Sequence, residues 1–270
     1  MNIQIYGCRA SVPVYSSGWN TRYGSNTSCV RVDTAGRVIV LDGGSGIVRL
    51  GAELVAGAKP GVPITADILL GHLHMDHIVG LSKFDPFWNR ANDVRVFTRS
   101  RDGRPLERQV FGAFCPPYWP VRLEEKSYAK IIEINDRDPF VLAEGIVVTP
   151  MASAHPDGTT VFRIDADRSL VYLLDYEVGD MPPEPLVNFC RGADAVIFDA
   201  AYLPEDYGTR RGWGHSNWTQ GVRLAELSGC GRMIFSHFSQ RYSDVVLDNL
   251  AEKLDDSRYI LAFDGMELDL

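Results

Sequence analysis

Cysteine is sparse in this 270-residue chain and never paired in sequence. Cys8, Cys29, Cys115, Cys190 and Cys230 are odd in number, far apart and make no CxxC motif. Such a set excludes a disulfide framework and reads as reduced, buried thiols in a reducing compartment. Long apolar runs are also missing, and no stretch approaches the ~20 residues of a membrane span. Met1–Tyr6 begins directly with a strand pattern, where a secretory leader would show a basic segment and then an apolar run. A cytoplasmic protein is expected. Positive charge is scarce: 27 Lys and Arg face 35 Asp and Glu, a formal net charge of -8. That balance argues against a broad basic footprint for duplex nucleic acid, but not against a small anionic substrate held at a local basic site.

The chain also lacks an obvious internal repeat, a low-complexity segment and a clear linker. Its 45% hydrophobic and 23% charged residues are ordinary for a soluble globular protein and suffice for a sizeable core. A single domain over residues 1–270 is expected. Short β-type runs at Ile3–Tyr6, Ser28–Thr34 and Val38–Asp42 flank a polar loop, Ser16–Thr27. Asp42-Gly43-Gly44-Ser45-Gly46 ends a strand and opens a helical stretch, Ile47–Val55. A buried strand, Ile68–Leu70, leads into a histidine cluster, and Ile78–Phe84 reads as a helix start. The stretch near 90–130 is rich in arginine and ends in Cys115-Pro116-Pro117-Tyr118-Trp119-Pro120, which regular structure does not accommodate. It reads as an insertion or a flanking loop. Strands resume at Ile131–Ile134, Ile146–Pro150, Thr160–Ile164, Leu170–Leu174, Ala195–Asp199 and Met233–Phe235, with helices over Trp218–Ser228 and Ser243–Leu254. Two groups of strands with interspersed helices favour an α+β, two-sheet sandwich flanked by helices.

The histidines carry the chemistry. His72-Leu73-His74-Met75-Asp76-His77 places four ligand-type residues within six positions, directly after an apolar strand. His72 and His74, two apart in an extended segment, point the same way. Asp76 and His77 belong to the turn beyond and can aim at a neighbouring point. The spacing suits two adjacent metals, and imidazoles with a carboxylate suit zinc, iron or manganese. A lone histidine is usually a surface or satisfied core residue. Here, however, all six (His72, His74, His77, His155, His215 and His237) sit in loop-like stretches after apolar runs or beside glycines.

With its complete HxHxDH signature at His72–His77, the sequence resembles the metallo-β-lactamase superfamily, and the resemblance extends through nearly the whole chain. It implies a four-layer αββα sandwich with the site at one edge between the sheets. It also implies two divalent metal ions, zinc first, with manganese or iron as alternatives. His72, His74 and His155 would hold the first; Asp76, His77 and His237 would hold the second. Asp175, after Leu170–Leu174, would be the bridging carboxylate, with Asp199 as its rival because it also ends an apolar strand. Gly214-His215-Ser216 and Ser236–Tyr242 resemble the phosphodiesterase branch, which includes ribonuclease Z and small cyclic-phosphate phosphodiesterases. In that branch a histidine at the His215 position, paired with an acid at the Asp199 position, acts on the substrate phosphate. A bland rival for His215 is a helix-capping role with Ser216.

The expected function is hydrolysis of a small or cyclic phosphodiester by a hydroxide that two metals make available near neutral pH, with Asp76, His215 and Asp199 as the catalytic residues. The expected partner is a small anionic substrate, with no duplex nucleic acid, no membrane and a homodimer left open. Ribonuclease Z carries a long basic arm between the positions of His155 and Asp175, and here these are too close to hold one. Arg99, Arg101, Arg104, Arg210 and Arg211 are candidates for phosphate contact, and Tyr118, Trp119 or Trp213 for stacking on a base. For any single arginine, a solvated surface role is the more ordinary one. The alternatives are a lactone or thioester hydrolase on the same fold, a ribonuclease Z-like RNA endonuclease, a non-catalytic metal sensor and a di-iron redox protein, the last without an accompanying flavin segment.

Overall fold

The computed structural model describes residues 1–14 and 21–270; residues 16–20 of the polar loop expected over Ser16–Thr27 lie outside them. In chain order the strands are β1 (Asn2–Gly7), β2 (Cys29–Thr34), β3 (Arg37–Leu41), β4 (Thr65–Leu69), β5 (Asp93–Arg99), β6 (Lys130–Ile134) and β7 (Phe140–Ala143). They continue with β8 (Ile146–Ala152), β9 (Thr160–Asp165), β10 (Ser169–Leu173), β11 (Ala195–Asp199), β12 (Arg232–Ser236), β13 (Tyr259–Leu261) and β14 (Glu267–Asp269). They form two seven-stranded sheets, ordered β14-β1-β2-β3-β4-β5-β6 and β13-β12-β11-β10-β9-β8-β7.

Both sheets follow one plan. In the first, β14 through β3 are joined by antiparallel ladders and β3 through β6 by parallel ones. In the second, β7 through β10 are antiparallel and β10 through β13 parallel. The strands β3 and β10 therefore stand at equivalent switch points, followed by the equivalent pairs β4/β11 and β5/β12. No repeat is visible in the sequence, because the shared feature is a ladder pattern and not a residue pattern.

Alternation along β3 explains the layering. Ile39 and Leu41 enter the core between the sheets, while Val40 faces outward into a second cluster with Ile47 and Leu50. Those two residues belong to the apolar stripe of α1 (Ile47–Gly57), which covers the first sheet. The short helices α2 (Met75–Ile78), α3 (Leu106–Phe111) and α4 (Leu123–Lys126) follow on that half. On the other half, α5 (Glu184–Cys190), α7 (Trp218–Ser228) and α8 (Asp244–Ala251) send Leu186, Leu224 and Leu247 onto the second sheet, and α6 (Pro204–Tyr207) precedes α7. Strands covered on both faces carry continuous apolar runs, as in Ala195-Val196-Ile197-Phe198, all buried. The result is the expected α+β, αββα arrangement. Among the described residues no helix is long and apolar enough to cross a membrane.

The expected insertion or flanking loop near 90–130 has to be corrected in part. Residues 93–99 are β5, paired in parallel with β4 and β6 inside the first sheet. Arginine disguised this strand: Val94 and Val96 are buried on one face, while Arg95 occupies the other beside Phe97. Arg95 is tolerated there because its Nε donates to Asp67 Oδ1 at 2.6 Å. Asp67 is fully buried, and its other oxygen accepts from Arg37 at 2.5 and 3.1 Å. Arg95 also donates to the Leu142 carbonyl of β7 at 3.0 Å, tying the two sheets together. Only the remainder, residues 100–129 with α3 and α4, flanks the sheet.

Two outcomes follow from this packing. Asp67→Ala strands two facing cations that are each about a quarter exposed. It should lower stability by about 2–3 kcal/mol, somewhat below the value for a fully buried pair, and this is read as a lower Tm. All five cysteines are free, and burial pushes the thiols of Cys8, Cys29, Cys190 and Cys230 up. A thiol-reactive chromophore should therefore titrate no more than Cys115 rapidly in the native protein, and all five after unfolding.

Candidate metal centre

Parallel strands leave a crevice beyond their carboxyl ends, and the singled-out residues gather there. His72 and His74 follow β4, and Asp76 and His77 lie on α2. His155 follows β8, Asp175 follows β10, Asp199 ends β11 and His237 follows β12. His215 lies just before α7. Asp42, Asp175 and His237 have φ of 62°, 54° and 63°. This left-handed turn costs a non-glycine residue about 1–3 kcal/mol and redirects the chain sharply at the strand end.

The side chains converge in two sets sharing one carboxylate. Ligand-type atoms of His72, His74 and His155 lie within 4.8 Å of one another, as do those of Asp76, His77 and His237. Between them, Asp175 Oδ2 is 3.1 Å from His77 Nε2, and Oδ1 is 3.5 Å from His237 Nε2 and 3.8 Å from Nε2 of both His72 and His155. Burial disfavours the charged form of Asp175, but the surrounding imidazoles of His237, His77 and His72 hold it well below the usual carboxylate range. Burial pushes His72 well below the usual histidine range, keeping its ring neutral.

The outer nitrogens of several rings are already committed. His77 Nδ1 donates to Asp42 Oδ2 at 2.7 Å, and Tyr172 Oη donates to the same oxygen at 2.8 Å. His155 Nδ1 donates to the Gly214 carbonyl at 3.1 Å, and His237 Nδ1 meets Ser28 Oγ at 2.9 Å. Each ring therefore turns Nε2 inward. Both nitrogens of His72, Nε2 of His77 and of His237, and Oδ2 of Asp175 are buried without a hydrogen-bond partner. Groups so buried normally have one. Buried, unpaired imidazole nitrogens of three rings beside an unpaired carboxylate oxygen fit divalent metal ions, and the imidazole-rich set with carboxylates suits zinc first.

Asp199 is arranged differently from Asp175. It is fully buried, and its oxygens accept from the Asp175 and Ala201 backbone N–H groups, both at 2.9 Å, and from His215 Nδ1 at 2.8 Å. Its acceptor capacity serves to orient its neighbours, including His215. The imidazole of His215 stacks against His237 with ring centroids 5.3 Å apart. Burial opposes its charged form, but Asp199, joined by Asp175 and Asp76, pushes its pKa up to about 9. The capping alternative fails on geometry: Asn217 is the residue whose side chain caps α7, in a reciprocal capping box with Gln220. Ser216 Oγ instead donates to the Tyr176 carbonyl at 2.6 Å.

Several residues went unread in the sequence. Asp42 was seen only as a strand end, and its following glycines were the available signal. A Cβ at Gly44 would come within 2.6 Å of the Asp76 carbonyl, Thr27 Oγ1 and the Ser28 carbonyl, so only glycine lets this turn pack under the cluster. Gly214, at φ 88°, is needed for the same reason, since a Cβ there would meet His155 Nδ1 at 2.1 Å. Glu177 accepts from the backbone N–H groups of Gly212 and Gly214 at 2.8–2.9 Å and so fixes the loop that carries His215.

Of the arginines proposed for phosphate contact, Arg99 is paired with Asp136, Arg210 with Asp206 and Arg211 with Asp180. Arg101 and Arg104 line a cavity beside His72 and His74. Trp119 packs edge-on against Phe114, whereas Tyr118 and Trp213 are exposed. Removing the carboxylate behind His77 should loosen the whole cluster. Asp42→Ala is expected to weaken metal retention about 10- to 100-fold, read by elemental analysis after dialysis against graded chelator. Retention equal to that of the unaltered protein would deny Asp42 this role.

Residues 37–238 match the family model described as "Beta-lactamase superfamily domain", a span that holds every residue of the cluster. Ribonuclease Z from Bradyrhizobium sp. (strain ORS 278) is 28% identical over 285 aligned positions, covering 88% of this chain and 89% of that protein. Among solved structures, a new diphosphatase from the PhnP family superposes with a TM-score of 0.71 at 20% identity, over 99% of this chain and 96% of that one. Zn(2+)-bound PqqB from Methylobacterium extorquens gives a TM-score of 0.71 at 20% identity, over the whole of both chains. The names of these relatives support a hydrolase, and they lend no support to the expected exclusion of duplex nucleic acid. With more than half of its length matched, the chain belongs to the beta-lactamase superfamily domain family and has the metallo-β-lactamase fold.

Proposed function

We propose that this protein is a dinuclear metal-dependent hydrolase of a small or cyclic phosphodiester, working in the cytoplasm. The observation that carries the reading is the His215–Asp199 pair, joined at 2.8 Å and set against His237 at the edge of the cluster. His72, His74 and His155 would hold one ion, Asp76, His77 and His237 the other, and Asp175 would bridge them. When bound, the two ions would supply Lewis acidity toward a phosphoryl oxygen and an acidified water.

The protein's own groups account for the rest. Asp42, Ser28 and the Gly214 carbonyl hold the rings of His77, His237 and His155 in one orientation, so that no reorganisation is needed when substrate arrives. Asp76 Oδ2 accepts the Ser11 backbone N–H at 2.7 Å, which fixes its carboxylate beside His77 and His237. Asp199 accepts a hydrogen bond from Nδ1–H of His215, which orients the ring so that Nε2 holds the proton needed by a departing alkoxide. Only a short β9–β10 hairpin separates His155 from Asp175, which favours a small substrate over a gripped RNA. Similarity to ribonuclease Z favours RNA cleavage as the second reading. Zinc is the ion proposed, supported by the imidazole-rich donor set and by the zinc-bound structural neighbour.

The test is an assay of metal-loaded protein on bis(p-nitrophenyl) phosphate, a lactone and a transfer RNA precursor. Cleavage of the phosphodiester with the lactone untouched is the expected result. Lactone cleavage alone would replace the proposal, and cleavage of RNA alone would promote the second reading. His215→Ala should lower kcat by about 10²- to 10⁴-fold while keeping its metals. If the variant loses metal instead, His215 is a ligand and its proposed role falls.

A further inference from the structure

A cavity of about 330 Å³ opens beside the cluster, bordered by His72 and His74 but not by His215. Its wall combines apolar side chains, Leu73 and Met75, with three guanidinium groups, Arg101, Arg104 and Arg108. Such a concentration is unexpected in a chain whose net charge is -8. Nearby carboxylates do not cancel it. Arg104 is held by Asp102 through Nε at 2.6 Å, and Asp157, the other acid at the cavity, reaches toward His74 Nε2 at 3.6 Å.

Arg101 is the informative residue. Its Nη atoms donate to carbonyls of Arg99 and Gly71 at 2.6 and 2.7 Å, and no carboxylate lies within ion-pair distance of it among the described residues. Its Nε is buried and has no partner at all. Burial pushes its pKa down to about 10, with Arg99 adding to the effect, yet it stays charged at neutral pH. The carboxylates of Asp136 and Asp42 favour its charge only from beyond ion-pair distance, and a desolvated cation so compensated is costly unless an anion arrives. Arg108, exposed on α3, likewise has no ion-pair partner among the described residues.

We infer that this cavity is a subsite for a second phosphate on the substrate. This deepens the phosphodiesterase reading and rests on it: the scissile diester would lie at the cluster, its leaving group toward His215. The retained portion, carrying a further phosphate, would lie in the cavity against Arg101, Arg104 and Arg108. The apolar patch from Leu73 and Met75 would cover the body that joins the two phosphates. The substrate class is then a phosphodiester bearing a second phosphate, as in a phosphorylated nucleotide ester.

Two chromogenic substrates isolate the added phosphate: the p-nitrophenyl ester of thymidine 5′-phosphate, and the same ester carrying a 3′-phosphate. The unaltered protein should favour the second in kcat/KM by about tenfold or more. Arg108→Glu should remove most of that preference, and the Arg104→Glu, Arg108→Glu double variant all of it. Arg258→Glu, a charge reversal outside the cavity, should retain it. Equal kcat/KM for the two esters, or a preference surviving the double reversal, would overturn the subsite. If neither ester is cleaved, the phosphodiesterase reading itself fails, and calorimetry then judges the cavity separately. Thymidine 3′,5′-bisphosphate should bind about tenfold more tightly than thymidine 5′-monophosphate, with the gain lost in Arg108→Glu. Equal affinities would end the proposal on that route as well.

Discussion

A buried carboxylate ringed by imidazoles can be stable only if the charges and lone pairs meeting there are compensated, and the structure around Asp175 is organised by that requirement. Its oxygens lie 3.1–3.8 Å from nitrogens of His72, His77, His155, His215 and His237. Where outer nitrogens are committed, they are committed to protein acceptors: a carboxylate for His77 and for His215, a carbonyl for His155. Fixing a ring from outside decides which nitrogen keeps a lone pair, and therefore what the interior can bind. The pocket that results is lined with electron-pair donors, an environment suited to cations.

The fold supplies this arrangement through two copies of one ladder plan. Each sheet changes from antiparallel to parallel at one strand, β3 or β10, and each of these strands is followed by an aspartate in the left-handed region, Asp42 or Asp175. One aspartate supports a ring from behind and the other lies between the two ligand sets. The next strands, β4 and β11, are likewise equivalent, and they deliver His72 and Asp199. Equivalent backbone positions have thus been given unlike tasks, so a symmetric scaffold carries an asymmetric site.

Around this centre, support and chemistry are separated. Asp199, Glu177 and Asp42 spend their acceptor capacity on backbone amides and on rings, which removes freedom from the groups nearest the cluster. His215 is oriented without being enclosed, with its side chain still 17% exposed. Beside the opposite set of histidines stand arginines whose charge the protein does not fully neutralise. Set in a chain of net charge -8, this cationic wall is a local feature beside the cluster and does not follow from the overall balance of charge.

Much of the candidate site was legible because its signals are local. His72 and His74 share a face through strand-like alternation, Asp76 and His77 lie beyond in a turn, and both features are set within six residues. The apolar runs of β10, β11 and β12 likewise announced themselves, since strands covered on both sides need no polar alternation. Less was legible where a tertiary partner reverses a local rule. Strand β5 carries Arg95 on a core-facing side, and only Asp67, 28 residues away in another strand, makes that tolerable. Between Asp175 and Asp199, which both end apolar strands, the sequence offers only the position of Asp175 soon after His155 as a ground for preference. In the structure the oxygens of Asp199 are taken by backbone amides and by His215, whereas Asp175 lies between the two sets of histidines. The sequence by itself determined the kinds of ligand-type residue and their local directions, because these follow from alternation and turn chemistry over a few residues. The tertiary structure alone decided that Asp42 backs His77 with Tyr172, 130 residues away, and that arginines line the cavity. Those relations depend on how two sheets pack, and no periodicity along the chain encodes a distance across them.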